Sequence, residues 1–189
     1  MAGSTSRGDS RFRKMRKVAI LGHSYVSRLR FESPLNMPWG EISKYGFPGA
    51  KVSNVMQRPD WQDFVAYQPD FTLLLIGGND INESTKPSEL GREISAFALK
   101  VEELTGGPCH IISIEPRLHP RDIAPCRYKT VKNAVNRCLG RLPDSKSRFH
   151  GMGIENEDLG SDGVHLNEVG NNKLLHRIIE IVKECLGEF

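Results

Sequence analysis

Four short stretches hold the residue types that hydrolytic chemistry needs. Ser24 follows the apolar run Val18-Ala19-Ile20-Leu21 and Gly22. Gly49 closes the turn-rich Gly46-Phe47-Pro48-Gly49, and Asn79 follows the apolar run 71–76 and a double glycine. Asp162 and His165 stand three residues apart, just before an amphipathic stretch. A serine hydroxyl is a poor nucleophile until a base takes its proton, so Ser24 needs a histidine within hydrogen-bond reach. Asp162 can fix the tautomer of that histidine and stabilise its cation. The Ser24 N–H, the Gly49 N–H and the Asn79 side-chain amide are donors for an oxyanion, each able to supply about 3 kcal/mol in a transition state.

Each residue also has a plainer reading. Ser24 suits a helix N-cap, Asn79 and Gly49 suit turns, and Asp162 suits an Asx turn. It is the set, in order along the chain, that favours catalysis. His23 is read either as structural or as a donor or cation beside the site. Arg117, in Glu115-Pro116-Arg117, is read as lining the pocket or as a solvated loop residue.

These residues need elements to hold them. Apolar runs at 18–21, 71–76 and 109–114 predict buried strands, with weaker ones at 42–45 and 148–153. Helical periodicity appears at 25–31, 88–104 (with Ser88 as its cap), 127–142 and 167–186. Strands alternating with helices predict a parallel sheet covered on both faces. The expected fold is an α/β three-layer sandwich with a flavodoxin-like, five-stranded parallel sheet in the order 2-1-3-4-5. Ligands in such sheets bind outside the carboxyl ends of the strands, and every candidate residue sits there. Residues after the first strand lack G-x-G-x-x-G, which disfavours a dinucleotide site. Val26 replaces the last glycine of G-x-S-x-G, which disfavours an α/β-hydrolase elbow.

The four blocks resemble those of the SGNH (GDSL-type) hydrolases. They read Ile20-Leu21-Gly22-His23-Ser24, Gly46-Phe47-Pro48-Gly49-Ala50, Gly77-Gly78-Asn79-Asp80 and Ser161-Asp162-Gly163-Val164-His165-Leu166-Asn167. The resemblance spans residues 17–189. It implies an α/β/α sandwich and an esterase with Ser24, Asp162 and His165 as catalytic residues. It also implies Ser24, Gly49 and Asn79 as the oxyanion hole. Within the family the chain looks similar to esterase domains encoded by non-LTR retrotransposons and to related small intracellular esterases. His23 departs from the usual Gly-Asp-Ser block, while the literal Gly8-Asp9-Ser10 has no strand before it. A catalytically idle module that keeps the fold is the alternative.

The 189 residues suit one domain, and no run has the length of a membrane span. Residues 1–17 hold six basic residues and one acid, whereas 18–189 hold 20 basic and 22 acidic. The organisation expected is a basic flexible tail over 1–16, then a hydrolase-like domain over 17–189. The tail is read as a solvated leader, with nucleic acid or an anionic membrane as the partner it would suit at 7–17. No secretion signal is seen, so an intracellular, reduced setting is expected for Cys109, Cys126, Cys138 and Cys185. His110, His119, His150 and His176 show no metal-ligand spacing, so neither metal nor cofactor is expected. Trp39 and Trp61 are read as packing residues. The connections look too short for a lid, which predicts short acyl esters as substrates. Were an acyl groove present, Leu35, Met37 and Trp39 in the 33–45 loop would be its expected wall.

Overall fold

The computed structural model describes residues 15–144 and 148–187. The first apolar run becomes β1 (Arg16–Gly22), whose residues Val18 to Leu21 are fully buried. Ala19 and Leu21 enter one apolar cluster, Val18 and Ile20 the other. A strand covered on both faces must be apolar at every position, which is why the run shows no alternation.

Six strands form one sheet in the order β2-β3-β1-β4-β5-β6. β3 (Gly40–Gly46), β4 (Phe71–Leu75), β5 (Cys109–Ile112) and β6 (Phe149–His150) run parallel with β1. These five parallel strands stand in the order expected from the sequence. The expected strand count is corrected by one: β2 (Leu35–Met37) pairs antiparallel with β3 at the sheet edge. Three residues followed by Pro38 carry no strand signal of their own, and tertiary pairing alone makes them a strand.

Three helices cover one face: α2 (Trp61–Tyr67), α3 (Pro87–Thr105) and α4 (Pro125–Leu139). Two cover the other: α1 (Ser24–Ser27) and α5 (Glu168–Leu186). The result is the three-layer sandwich expected. α2 has no counterpart in the sequence reading, because seven residues with Trp61 and Phe64 inward give too short a period to detect. α1 is shorter than the expected 25–31, although Val26 and Leu29 are buried as its period requires. The start of α3 is set by Lys86 as N-cap and Pro87 in the first turn, not by Ser88.

α5 matters most for the site. Leu174, Ile178, Ile181 and Val182 on its inner face have no exposed surface, and each such side chain contributes about 1.5–3 kcal/mol by burial. Asn167 caps it, its side-chain oxygen accepting the Gly170 N–H at 2.8 Å while its amide donates to the Glu157 carbonyl at 2.7 Å. The helix thus anchors the loop that ends at His165.

Trp39 and Trp61 are both packing residues, in opposite clusters. Among the described residues no helix is long and apolar enough to cross a membrane. β1 already begins at Arg16. The rest of the basic tail, with Gly8-Asp9-Ser10, lies outside the described residues.

Candidate active site

At the carboxyl end of β1 the chain turns into α1, and this turn places the largely buried Ser24 in the lining of a cavity. His23 is the N-cap of α1, and its Nδ1 accepts the Tyr25 N–H at 3.4 Å. An acid in a Gly-Asp-Ser block can accept that bond with a carboxylate; here an imidazole nitrogen does so. Burial first, then the nearby Arg117 and His165 charges, push the His23 pKa down to about 3. His23 is therefore neutral, which removes the cationic option. Nor does it line the cavity; it lies beneath Ser24 with 6% of its surface exposed.

The loop before α5 brings the other two residues to Ser24. His165 Nε2 lies 3.1 Å from Ser24 Oγ, and His165 Nδ1 lies 2.6 Å from Asp162 Oδ2. Asp162 Oδ1 accepts the N–H groups of Val164 and His165 at 2.9 and 2.8 Å. The His165 backbone and ring bonds, with the Val164 bond, hold the Asp162 carboxyl far below the usual carboxylate range. An ionised Asp162 can only accept, so His165 carries its proton on Nδ1. That leaves Nε2 as the acceptor for the Ser24 hydroxyl proton.

The remaining candidate donors belong to residues that line the same cavity. Gly49 takes a left-handed φ of 72°, a conformation that favours glycine, and its N–H has no partner among the described residues. The Ser24 N–H is equally free among them. Asn79 donates from Nδ2 to the Ala50 carbonyl at 2.9 Å, which leaves its second amide proton for the cavity. Its oxygen accepts from Arg117 Nη2, also at 2.9 Å. Arg117 thus decides which way the amide points. Its guanidinium lies 5.6 Å from the Tyr128 ring centre, against Gly78. A Cβ at Gly78 would come within 2.9 Å of Arg117 Nη2, so the double glycine admits the neighbouring block. Of the two readings of Arg117, the pocket-lining one matches its position.

Four residues have roles here that the sequence reading did not assign: Tyr25, Asp80, Leu118 and His119. The Tyr25 hydroxyl shares its proton between the Val164 carbonyl at 2.6 Å and the Pro116 carbonyl at 3.3 Å, tying the Ser24 turn to the histidine loop. Asp80 Oδ1 accepts the Val52 N–H at 3.1 Å and pins the Gly49 loop to the end of β4. Burial raises the Asp80 pKa to about 6. Leu118 and His119 donate backbone N–H groups to the Gly163 carbonyl at 2.7 and 3.2 Å, bracing the Asp162 turn. Asp80 follows Asn79 in the third block, the one sequence signal available; Tyr25 and His119 carry none.

The cavity over Ser24 holds about 580 Å³. Polar and apolar surface share its lining about equally, and the lining carries Arg28, Lys51, Arg117 and Arg121 besides Asn79 and His165. Leu35, Met37 and Trp39 do not reach it; they pack into the core beneath α1 and α5. The expectation that the 33–45 loop walls an acyl groove is thereby corrected. The histidines are also less scattered than expected: His119 lines the cavity, while His110 and His150 lie side by side elsewhere.

No protein-family model matches the chain, and no curated protein is similar to it in sequence. Solved structures are similar to it in fold. A GDSL-like lipase from Bacteroides thetaiotaomicron superposes with a TM-score of 0.69 at 16% identity, over 90% of this chain and 89% of that one. A lipase/acylhydrolase from Enterococcus faecalis gives 0.65 at 15% identity, over 90% and 96%. Axe2, an acetylxylan esterase from Geobacillus stearothermophilus, gives 0.61 at 15% identity, over 87% and 93%. The six-stranded α/β/α sandwich of this chain is therefore the fold of GDSL-like lipases, acylhydrolases and acetylxylan esterases.

Proposed function

We propose that the chain is a serine esterase of the SGNH type that hydrolyses short acyl esters. The observation that carries this reading is the hydrogen-bonded chain from Ser24 Oγ through His165 to Asp162, at 3.1 and 2.6 Å. Ser24 Oγ attacks the ester carbonyl as its proton passes to His165 Nε2. Asp162 stabilises the imidazolium through Nδ1. The oxyanion is met by the N–H groups of Ser24 and Gly49 and by the free amide proton of Asn79. His165 then protonates the leaving alcohol, and water releases the acyl group by the same steps in reverse. Arg117 acts as a positioning residue for Asn79.

The four cationic residues of the lining, Arg28, Lys51, Arg117 and Arg121, support a hydrophilic alcohol, and its short apolar side chains a small acyl group. A long acyl chain gains about 0.8 kcal/mol per buried CH₂ only where an apolar groove receives it. The apolar part of the lining comes from short side chains such as Pro48, Ile81, Pro120 and Val164.

A fluorophosphonate probe tests the mechanism directly. Wild type is expected to label at Ser24, and Ser24→Ala to resist labelling and lose nearly all turnover of an acetyl ester. A folded wild-type chain that neither labels nor turns over the ester would instead make it an idle module with an esterase fold.

A further inference from the structure

Two histidines and a cysteine, distant in sequence, meet at the far end of α5. Register pairs Ile112 of β5 with His150 of β6, so His110 and His150 share one sheet face and lie diagonally across the strand pair. His110 Nδ1 and His150 Nε2 are 2.8 Å apart, and Cys185 Sγ in the last turn of α5 lies 3.6 Å from His110 Nδ1. All three ligand atoms fall within 4.8 Å of one another.

From this cluster we infer a zinc(II) site formed by His110, His150 and Cys185. Imidazole and thiolate are the ligands zinc prefers, and two histidines with one cysteine leave a fourth position for solvent. Zinc bonds of about 2.0–2.1 Å to nitrogen and 2.3 Å to sulfur place tetrahedral ligand atoms about 3.3–3.6 Å apart. The 3.6 Å from Cys185 Sγ to His110 Nδ1 already meets this, and Sγ lies within 4.8 Å of the His150 nitrogen. The two nitrogens must part by about half an ångström, a small rotation of either ring. The proton they share moves to the other nitrogen of its own ring, and one proton leaves from the Cys185 thiol.

The surroundings suit an ion that ties elements together. A cleft of about 500 Å³, lined by Glu102, Pro108, His110 and Arg148, gives a path from solvent. The three ligands come from β5, β6 and α5, so one ion would clamp the short edge strand and the C-terminal helix to the sheet. α5 starts three residues after His165, and Cys185 lies 17 residues into it, so the clamp sits about 25 Å from the esterase site. Its role is structural, and it does not depend on the proposed hydrolysis.

Cobalt(II), a spectroscopic substitute for zinc, tests the site in the untagged, reduced chain. One equivalent should give a thiolate-to-cobalt charge-transfer band and visible bands of tetrahedral intensity, both displaced by zinc. Zinc at 100 times its Kd should raise Tm by about 5–10 °C. Cys185→Ser, a change at an exposed position, should abolish the charge-transfer band and weaken affinity by at least about 100-fold. His150→Gln should weaken it similarly; if that variant fails to fold, Cys185→Ser decides alone. Cys126→Ser and His176→Ala should bind as wild type. No charge-transfer band in wild type, or a band that survives Cys185→Ser, overturns the site.

Discussion

Arg117 offers the sharpest test of how the proposed oxyanion hole is built. Arg117→Met keeps much of the aliphatic stem beside Tyr128 and removes the guanidinium that donates to Asn79 Oδ1 at 2.9 Å. The Asn79 amide then loses the contact that fixes its direction, keeping only the bond from Nδ2 to the Ala50 carbonyl at 2.9 Å. A hydrogen bond from a charged donor is worth about 1.5–3 kcal/mol. The loss has a ceiling, because deleting an oxyanion donor outright costs about 2.7–4 kcal/mol. Arg117→Met should therefore lower kcat on a neutral acetyl ester by about 10–100-fold, and Asn79→Ala by about 100–1,000-fold. KM should change little, since the interaction belongs to the transition state. If Arg117 acts through Asn79, the double variant should be no slower than Asn79→Ala alone. Initial rates on p-nitrophenyl acetate, with circular dichroism to confirm folding, measure all three. Losses that multiply in the double variant would refute the positioning role. So would an unchanged kcat on neutral esters with a raised KM on anionic ones, which would make Arg117 a substrate-binding charge.

The triad should behave as a unit: Ser24→Ala, His165→Ala and their double variant should lose turnover to the same residual level, with Asp162→Ala retaining more. His23 links pH to stability. Its folded pKa of about 3 lies below its ordinary 6.5, so the unfolded chain binds more protons between those values and stability falls as pH drops through that window. His23→Asn keeps an acceptor for the Tyr25 N–H without titrating. It should flatten the fall measured by urea unfolding at pH 7 and pH 4.5, and an identical fall would show that His23 is not its source. Acyl-chain length tests the cavity: kcat/KM should stay flat or decline from acetyl to decanoyl p-nitrophenyl esters below their micelle concentrations. A fitted groove would instead give a rise of about fourfold per methylene.

Much of this was legible in the residues. β1 is apolar from Val18 to Leu21 and β4 at every position but Thr72 because both faces are covered, and the long helices α3 and α5 repeat at the helical period because one face is. The same patterns put Ser24, Gly49 and Asn79 just after strands, where α/β sheets bind ligands, and His165 just before the last helix. Short-range chemistry was legible too: the three-residue spacing of Asp162 and His165 suits one loop presenting acid and base together. What sequence could not carry is distance across the fold. The Tyr25 hydroxyl meets Val164, Arg117 meets Asn79, and His110 meets His150 only because strand order and register bring remote segments together. The seven residues of α2 and three of β2 have too little intrinsic signal to predict, since packing rather than propensity stabilises elements of that length. His23 shows the limit most plainly. Its type left a structural residue, a donor and a cation open, but its protonation is decided by how much protein lies around it, and burial leaves it a neutral helix cap.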